Sequence, residues 1–373
     1  MAIDNKDKKV LNVPPLRFPE FTEEWKEEQL DNIATLSKGI GISKEQLSED
    51  GEPCILYGEL YTKYKSEIIK QVESKTDING SKLKRSKAND VIIPCSGETA
   101  VDIATARCVP FDNILFGGDL NVISLHQYDG AFMSYQLNGK RKYDIARVAQ
   151  GVSIVHLYGE HLKAIKTYNP TLPEQQKIAK LLSLLDDRID TQNKIIDKLK
   201  SLIKGIDEVV FQSCSKHCKL KEFDNQITAG RDKVEEGCFP LYGSTGVIGT
   251  TATPSYHEPL VLVARVGSIG CVQFVNIPCG VSDNTIVIRC GSKAKYVYYY
   301  LQNYNFERIT SGTTQPLITA KDVKHIDIPI IDSANDLKAI NTLDTLNMKL
   351  ELESNLYNTI LKQKAFLLQQ MFI

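Results

Sequence analysis

The densest cluster of side chains that could take part in chemistry is basic. The string SKLKRSK places four cations within six residues, namely Lys82, Lys84, Arg85 and Lys87. A solvated surface loop would explain this composition equally well. Clustered lysine and arginine also supply sequence-independent affinity for phosphates, because each cation pairs with a phosphate charge. Phosphate contact is therefore the first functional hypothesis for this chain.

Glycine-rich segments in the second half indicate a related chemistry that uses backbone groups. The strings YGSTGVIGTT (242–251) and RVGSIG (265–270) would let N–H groups approach phosphates closely, although plain hairpin turns have the same composition. Arg265 could form a bidentate contact with guanine or bind phosphate, and the sequence leaves both open. The other candidate contacts are Tyr57, Ser96, Gly97 and Thr99 in the first half and Tyr242, Ser244, Thr245, Gly267 and Ser268 in the second.

Catalytic and metal-binding motifs are not visible. The chain has no GxxxxGK[ST] phosphate loop and no Asn/Asp-Pro-Pro-aromatic tetrad. Glu73 and Lys75 have the Glu-x-Lys spacing of some nucleases, but no Pro-Asp precedes them suitably. Cys214, His217 and Cys218 lie within five residues without further ligands elsewhere, which favours an accidental cluster over a metal site. We therefore expect no catalytic residue and no metal.

A long amphipathic helix is predicted from Pro173 to Gln212. Its apolar positions alternate in steps of four and three, the 3.5-residue repeat of a helix packed along a partner helix. At 1.5 Å per residue the helix is about 60 Å long, too long for the core of one small domain. This first seam consists of Ile178, Leu182, Leu185, Ile189, Gln192, Ile196, Leu199, Ile203, Ile206 and Val210.

A second seam follows at a constant offset of 161 residues. It consists of Ala339, Leu343, Leu346, Leu350, Glu353, Tyr357, Ile360, Lys364, Leu367 and Met371. Lys364 replaces Ile203, and we expect its stem to lie along the apolar surface with its charge in water. The approach segments HLKAIKTYNP and DVKHIDIPII match at the same offset, which indicates an internal duplication. Each seam alone would be an exposed apolar stripe, so the two helices are predicted to pair.

The globular part before each long helix is predicted to be mixed α and β. Short apolar runs at 91–95, 113–116, 121–125, 260–264 and 284–289 are typical of strands. Residues 25–39 have near-helical spacing, and we expect a short amphipathic segment there. The strings ILYGEL and PLYGST align Tyr57-Gly58 with Tyr242-Gly243. An insertion of about residues 61–90 is expected in the first half only.

The totals fit an ordinary soluble globular protein of two or three domains. The chain has 373 residues, 42% hydrophobic and 24% charged, without an apolar run near the ~20 residues of a membrane span. Nine cysteines without CxxC pairs and the absence of a signal peptide predict a cytoplasmic protein with reduced thiols. The net charge is −1, so any nucleic-acid affinity must come from local patches.

Several strings together resemble the specificity (S) subunit of bacterial type I restriction-modification enzymes. They are the opening PPLRFPEF before Trp25, LYG in both halves, and TSGTTQPLITAKDVKHIDIPI with its weaker copy AQGVSIVHLYGEHLKAIKTYNP. The start of the first long helix, LPEQQKIAKLLSLLDDRI, is the most specific of them. The resemblance covers essentially the whole chain. The first copy lacks the Thr-Gln pair of the second, and the second helix lacks the PEQ start.

The resemblance implies an α+β fold with two target-recognition domains and two long antiparallel coiled-coil helices, related by pseudo-twofold symmetry. It divides the chain into an arm (1–24), the first domain (25–170), the first helix (171–213), the second domain (214–332) and the second helix (333–373). It also implies that Thr313, Thr314 and Gln315 contact DNA.

The same resemblance implies that the chain is a non-catalytic subunit that binds double-stranded DNA and reads a split target. Methyltransferase (M) subunits, expected to be two, would dock on the helices, and restriction (R) subunits would complete the nuclease. S-adenosylmethionine, ATP and Mg²⁺ would bind the partner subunits and not this chain. Two other interpretations remain, a coiled-coil scaffold and a stand-alone DNA methyltransferase or nuclease. The latter would need a cofactor or metal motif.

Overall fold

The computed structural model describes residues 11–79, 82–151, 154–212, 216–222, 226–312, 316–330 and 334–373. These residues form two compact units. Unit 1 comprises the described residues up to 194 together with 355–373, and unit 2 comprises the described residues from 195 to 354. Both boundaries fall inside long helices, so each unit contains one part of each helix. No helix in the described residues is long and apolar enough to cross a membrane.

The elements of the first half of the chain are mostly short. In chain order they are β1 (Lys26–Gln29), α1 (Leu30–Ile33), β2 (Ala34–Lys38), β3 (Glu52–Ile55), α2 (Glu59–Thr62), β4 (Lys75–Thr76), β5 (Lys84–Arg85), β6 (Asp90–Pro94), β7 (Ser96–Gly97), α3 (Ala100–Ile103), β8 (Arg107–Val109), β9 (Leu115–Phe116), β10 (Leu120–Leu125), α4 (Gly130–Asn138), α5 (Lys142–Val148), β11 (Val155–His156), α6 (Gly159–Lys163), β12 (Lys166–Asn169) and the long helix α7 (Leu172–Gln212).

The second half repeats this order with fewer elements. They are β13 (His217–Lys219), β14 (Ile227–Ala229), β15 (Phe239–Gly243), β16 (Gly246–Thr251), β17 (Leu260–Ala264), β18 (Val272–Val275), β19 (Gly280–Val281), β20 (Thr285–Ile288), α8 (Ala294–Gln302), α9 (Ala320–Lys324), β21 (Asp327–Pro329) and the long helix α10 (Ala334–Gln370). Single 3₁₀ turns lie at Lys44–Gln46, Leu220–Glu222, Gly291–Lys293 and Phe306–Ile309.

Each unit is built on one antiparallel four-stranded sheet with the same topology. The strand order is β2-β10-β6-β8 in unit 1 and β14-β20-β17-β18 in unit 2. A parallel pair accompanies each sheet, β3 with β9 and β15 with β19. Another antiparallel pair precedes each long helix, β1 with β12 and β13 with β21. The shared topology establishes the duplication in three dimensions.

Both faces of each central sheet are buried, which explains why its strands are continuous apolar runs. Successive side chains of β6 alternate between two clusters: Val91 and Ile93 face one, and Ile92 faces the other. In β17, Val261 and Val263 likewise face one cluster while Leu262 faces the other. The period of two follows from strand geometry. The predicted strands at 91–95, 121–125, 260–264 and 284–289 are present within one residue at each end.

The segment 25–39 buries Trp25, Leu30 and Ile33, as expected of an amphipathic segment, but its near-helical spacing does not give one helix. Strands β1 and β2 flank the single turn α1 and pair with β12 and β10. Strand pairing satisfies the backbone N–H and C=O groups of this segment, and the spacing of apolar side chains contains no information about those groups. The alignment of the LYG strings is also displaced by two residues. The carbonyl of Ile55 accepts from Gly117 N–H, and the carbonyl of Tyr242 accepts from Ser282 N–H, so Ile55 and not Tyr57 corresponds to Tyr242.

The long helices run antiparallel to each other within each unit. In unit 1 the start of α7, with Ile178 and Leu182, shares an apolar cluster with Leu367 near the end of α10. In unit 2 the end of α7, with Val210, packs with Leu343 near the start of α10. All the seam positions named from the sequence are buried or half-buried. The apolar repeat therefore faces protein along both helices.

The expectation for Lys364 is wrong. Its ammonium lies 2.6 Å from Asp186 and 2.5 Å from Glu67, and only 13% of its side chain is exposed. Tyr135 donates a hydrogen bond of 2.6 Å to Asp186. Burial and the charge of Glu67 raise the pKa of Asp186. Lys364 therefore neutralises two buried acids, Asp186 of α7 and Glu67 of the insertion. Heptad spacing does not reveal this role, because neither acid is a seam position.

Candidate nucleic-acid interface

Each unit carries a small hairpin at the same place. Gln150 and His156 exchange backbone hydrogen bonds of 2.8 and 2.6 Å, and Ser311 and Leu317 do so at 3.0 and 2.8 Å. Both pairs are separated by the offset of 161 residues. A glycine with positive φ opens each hairpin, Gly151 at +123° and Gly312 at +93°. The predicted contacts Thr313, Thr314 and Gln315 lie outside the described residues.

Both hairpins are fixed to the segment that follows a central strand. Leu157 N–H donates to the Cys95 carbonyl at 2.7 Å, and Ile318 N–H donates to the Arg265 carbonyl at 3.0 Å. β7 extends this attachment by pairing with β11. We call residues 95–97 with hairpin 150–156, and residues 265–268 with hairpin 311–317, the hairpin edges of units 1 and 2. The structure thus places predicted Ser96, Gly97, Arg265, Gly267 and Ser268 on equivalent edges.

Three of the predicted residues in unit 1 have clear structural roles. Ser96 is only 8% exposed and donates to an Asp119 carboxylate oxygen at 3.2 Å. Thr99 accepts the N–H of Asp102 at 3.1 Å and so caps α3. A Cβ at Gly97 would lie 3.0 Å from a methyl of Ile103. These residues shape the edge and offer few groups to a ligand.

The exposed chemistry of this edge comes from residues that the sequence analysis did not name. The Lys38 ammonium lies 5.7 Å from the ring centroid of Tyr158. The His156 ring stacks on Tyr158 with centroids 6.2 Å apart. All three side chains are exposed. The sequence pattern that could have identified His156 and Tyr158 is the strand alternation in IVHLY (154–158). Val155 and Leu157 are buried there between exposed neighbours. Together they form a cationic and aromatic surface suited to phosphates and bases.

Tyr57 lies near this edge in the turn before α2. It is 37% exposed and borders a cavity of about 740 Å³ with Lys44, Lys63 and Asp119. Asp119 is also the residue that holds Ser96. Asp119 therefore links the cavity that Tyr57 borders to the hairpin edge of unit 1.

The edge of unit 2 gathers most of its predicted residues. The Ser244 hydroxyl donates to the Val266 carbonyl at 3.2 Å, and the Gln273 amide donates to the Ser244 carbonyl at 3.1 Å. These bonds fix the β15–β16 turn, including exposed Thr245, beside residues 265–268. Tyr242 differs, because its ring packs against the buried cluster of β17 and burial raises its pKa.

Arg265 is the central cation of this second edge. One of its terminal nitrogens donates to the Asp283 carbonyl at 3.4 Å. Its buried Nε has no hydrogen-bond partner in the part of the chain that the structure describes. Gly267 and Ser268 beside it are exposed, and Gly267 has φ of +73°, a conformation that favours glycine. The guanidinium thus has donors that are not satisfied within the described protein.

The basic cluster is only partly available for a phosphate. Arg85 forms two hydrogen bonds with Glu52, at 2.6 and 3.0 Å, and these raise its pKa. Lys84 and Lys87 have no carboxylate partner among the described residues and border a depression of about 330 Å³ with Thr35 and His126. Lys82 is exposed. Arg85 is held by an acid, and phosphate contact remains a prediction for the three lysines.

Groups of three or more His, Cys, Asp or Glu side chains that could hold a metal are not found among the described residues. His217 and Cys218 lie in β13, and Cys214 is outside the described residues. The buried thiols of Cys54 and Cys95 have pKa values raised to about 11 by burial, which makes them poor nucleophiles.

Comparisons with known proteins agree with this arrangement of repeated edges and long helices. The family described as type I restriction modification DNA specificity domain matches the chain twice, over residues 22–201 and 218–362. A putative type I specificity subunit of Mycoplasma genitalium is 24% identical over 287 residues, covering 68% of this chain and 73% of the relative.

Solved structures share the fold across nearly the whole chain. The S subunit of a type I restriction-modification system from M. genitalium matches with a TM-score of 0.71 at 21% identity, covering 97% of this chain and 99% of that one. A chain from a type I system solved to explain complex assembly and conformational transition matches with a TM-score of 0.52 at 14% identity, covering 96% and 99%. The chain therefore belongs to the type I restriction-modification DNA specificity family, and its two globular parts are DNA sequence-recognition domains of a specificity subunit.

Proposed function

We propose that the chain reads a bipartite DNA target, with one half-site bound by each hairpin edge. The observation that carries this proposal is the repetition of one backbone frame with two sets of side chains. The same hydrogen bonds hold hairpins 150–156 and 311–317, while the cations beside them differ. Each edge would then read its own sequence. The target should be split and asymmetric.

The long helices support the second part of the proposal, which concerns spacing and docking. They are continuous over Leu172–Gln212 and Ala334–Gln370, about 60 and 55 Å at 1.5 Å per residue. Successive major-groove faces of B-DNA on one side are about 34 Å apart. We infer that the helix pair sets the number of unread base pairs and offers a docking surface for two M subunits.

The chain would direct the chemistry without performing it. An M subunit would flip an adenine out of the duplex and methylate it with S-adenosylmethionine, while R subunits would use ATP and Mg²⁺ to cleave DNA. The raised pKa values of the buried Cys54 and Cys95 thiols are consistent with this division. We also propose that the complex acts in the cytoplasm.

The decisive experiment co-expresses the chain with its cognate M subunit in a bacterium that lacks DNA methylation. Genome-wide mapping of N6-methyladenine should then give a single split motif, modified on both strands and dependent on this chain. A purified complex of both subunits that methylates no motif would contradict the proposal. A salt titration separates DNA reading from a scaffold role, because the logarithm of the affinity for duplex DNA falls linearly with log salt.

A further inference from the structure

Beside each hairpin edge, one further position of the duplicated fold carries a polar side chain in both units. In unit 1 the carbonyl of Asp119 accepts a hydrogen bond from Cys95 N–H at 2.7 Å. In unit 2 the carbonyl of Asn284 accepts one from Arg265 N–H at 3.1 Å. Asp119 directly precedes β10 and Asn284 directly precedes β20, the second strands of the two equivalent sheets. The two residues therefore occupy the same position of the repeated backbone frame.

Both of these side chains are exposed and make few contacts. One carboxylate oxygen of Asp119 accepts a hydrogen bond from the Ser96 hydroxyl at 3.2 Å, and this carboxylate has no other hydrogen bond or ion pair among the described residues. Asn284 accepts from the Ser244 hydroxyl at 3.4 Å, but through its main-chain carbonyl. Its side-chain amide has no hydrogen-bond partner in the part of the chain that the structure describes. Both side chains thus have groups available to a ligand.

Backbone conformation explains a short polar residue at only one of the two places. Asp119 has φ of +58°, a left-handed conformation in which Asp and Asn are several times more common than most other non-glycine residues. Asn284 does not have a positive φ. The main chain of unit 2 would therefore accept many other residues at this position. The presence of a carboxylate in one unit and of its amide isostere in the other needs a cause outside the backbone.

The charge of Asp119 indicates which part of DNA it contacts. Burial is the main cause of the raised pKa of the Cys95 thiol, and the charges of Lys38 and Asp119 also act on it with opposite signs. A cation and an exposed acid thus lie close to the same thiol. A carboxylate repels phosphates, so this acid favours DNA binding only where a donor on a base faces it. In the major groove, Asp accepts from the cytosine N4 amino group and Asn pairs with adenine N6 and N7.

We propose that Asp119 and Asn284 are specificity-determining residues, each of which reads one base pair of its own half-site. Asp119 accepts a hydrogen bond from the N4 amino group of a cytosine, while Asn284 accepts from N6 and donates to N7 of an adenine. Ser96 orients the carboxylate of Asp119, and Ser244 holds the main chain at Asn284. The inference rests on the proposed function, because it assumes that each hairpin edge faces the major groove of a half-site.

The first test exchanges the two side chains by isosteric substitution in the full chain, co-expressed with its M subunit. In the map of N6-methyladenine, Asp119→Asn should change one specified pair of one half-site from C·G to A·T. Asn284→Asp should change one pair of the other half-site from A·T to C·G, and all other positions should stay the same. Exposed Asp31→Asn and Asn276→Asp are matched controls that should leave the motif unchanged. Weaker methylation of an unchanged motif in the Asp119 and Asn284 variants would overturn the proposal.

The second test changes single atoms of the DNA and so avoids effects on folding. N4-methylcytosine at the contacted cytosine, or 7-deazaadenine at the contacted adenine, should each weaken binding of the purified wild-type complex about tenfold. The first analogue should not weaken binding of Asp119→Ala further, nor the second that of Asn284→Ala. An equal loss in wild type and variant would overturn direct contact. A wild-type motif that neither substitution alters would reject this inference alone, whereas a wild-type complex without a motif would reject the proposed function and this inference with it.

Discussion

The two hairpin edges share a backbone but place their cations differently. Gly39 N–H bonds to Leu120 and Gly230 N–H bonds to Thr285, both at 2.9 Å, so Lys38 of unit 1 corresponds to Ala229 of unit 2. Conversely, Arg265 of unit 2 corresponds to Cys95 of unit 1. Unit 1 therefore carries its cation on β2, and unit 2 carries it after β17. Main-chain hydrogen bonds preserve the frame, which leaves the exposed side chains free to specify different half-sites.

The helix seams differ in a second way. At offset 161, apolar Ile203 of unit 2 corresponds to Lys364 of unit 1, which pairs with Asp186 and Glu67. Glu67 lies in the insertion found only in the first half. The charge in the seam thus accompanies the additional segment of unit 1, and it should make unit 1 more sensitive than unit 2 to substitution at this position.

The largest expected effect follows from making unit 1 resemble unit 2 with Lys364→Ile. The change leaves two buried acids without their cation, which typically costs about 3–5 kcal/mol. Trp25, the only tryptophan, packs against Phe132 and Phe372 in unit 1 and reports unfolding there by fluorescence in urea. A loss below about 1 kcal/mol would show that the network contributes little to stability.

The pH dependence of this variant tests the mechanism. The pKa of Asp186 is already raised in the folded protein, so its ionised form costs stability above that pKa and the cost disappears as pH falls below it. Removing the cation raises this pKa further, and the deficit of Lys364→Ile should shrink towards acidic pH. Exposed Lys177→Met is the matched control, with an expected loss of about 0–1 kcal/mol.

The next effect tests the edges against each other. Arg265→Ala should weaken binding by about 1–3 kcal/mol if the arginine reads a base, and only at the half-site of unit 2. Lys38→Ala should act only at the other half-site. Affinities for duplexes in which one half-site is scrambled, measured at one salt concentration, separate the effects of the two substitutions. Arg289, paired with Glu258, supplies the control Arg289→Ala. Loss at both half-sites from either substitution would contradict separate readers.

The basic cluster should give a smaller effect, of about 1 kcal/mol at moderate salt. Replacing Lys84 and Lys87 together with Ala should reduce the slope of log affinity against log salt by about 1.8, if each lysine contacts one phosphate. Arg85→Ala should leave that slope unchanged because Arg85 is held by Glu52. An equal change of slope in both variants would mean that the Glu52 pair opens on DNA.

The last expected effect is local and concerns one glycine of the unit 2 edge. Gly267 has a left-handed backbone, and Gly267→Ala should cost about 1–2 kcal/mol of local stability and less in global unfolding. Nothing lies within 4 Å of a Cβ there, so strain and not a clash is the cause. Hydrogen exchange of residues 265–270 should increase. Gly58→Ala is the control, because Gly58 has φ of −65° and no close contact.

Sequence reasoning was most successful where the physical signal is local and periodic. The seam from Ile178 to Val210, the duplication and the buried strands depend on spacing that every helix or strand must follow. It failed where a residue's role depends on distant partners. Arg85 meets Glu52 across 33 positions, and Lys364 meets Glu67 across 297. The alignment of Tyr57 with Tyr242 failed because the two LYG strings occupy different positions relative to the equivalent strands β3 and β15.

By itself the sequence determined that the chain contains two copies of a mixed α and β domain, each followed by a long helix with a 3.5-residue seam. It also identified the family through LPEQQKIAKLLSLLDDRI and the paired approach segments. Only the tertiary structure decided which residues share an edge. Hydrogen bonds between segments far apart in the chain, such as Leu157 to Cys95 and Ile318 to Arg265, set that proximity. Such contacts leave no periodic trace, because folding brings together residues whose spacing along the chain is not constrained.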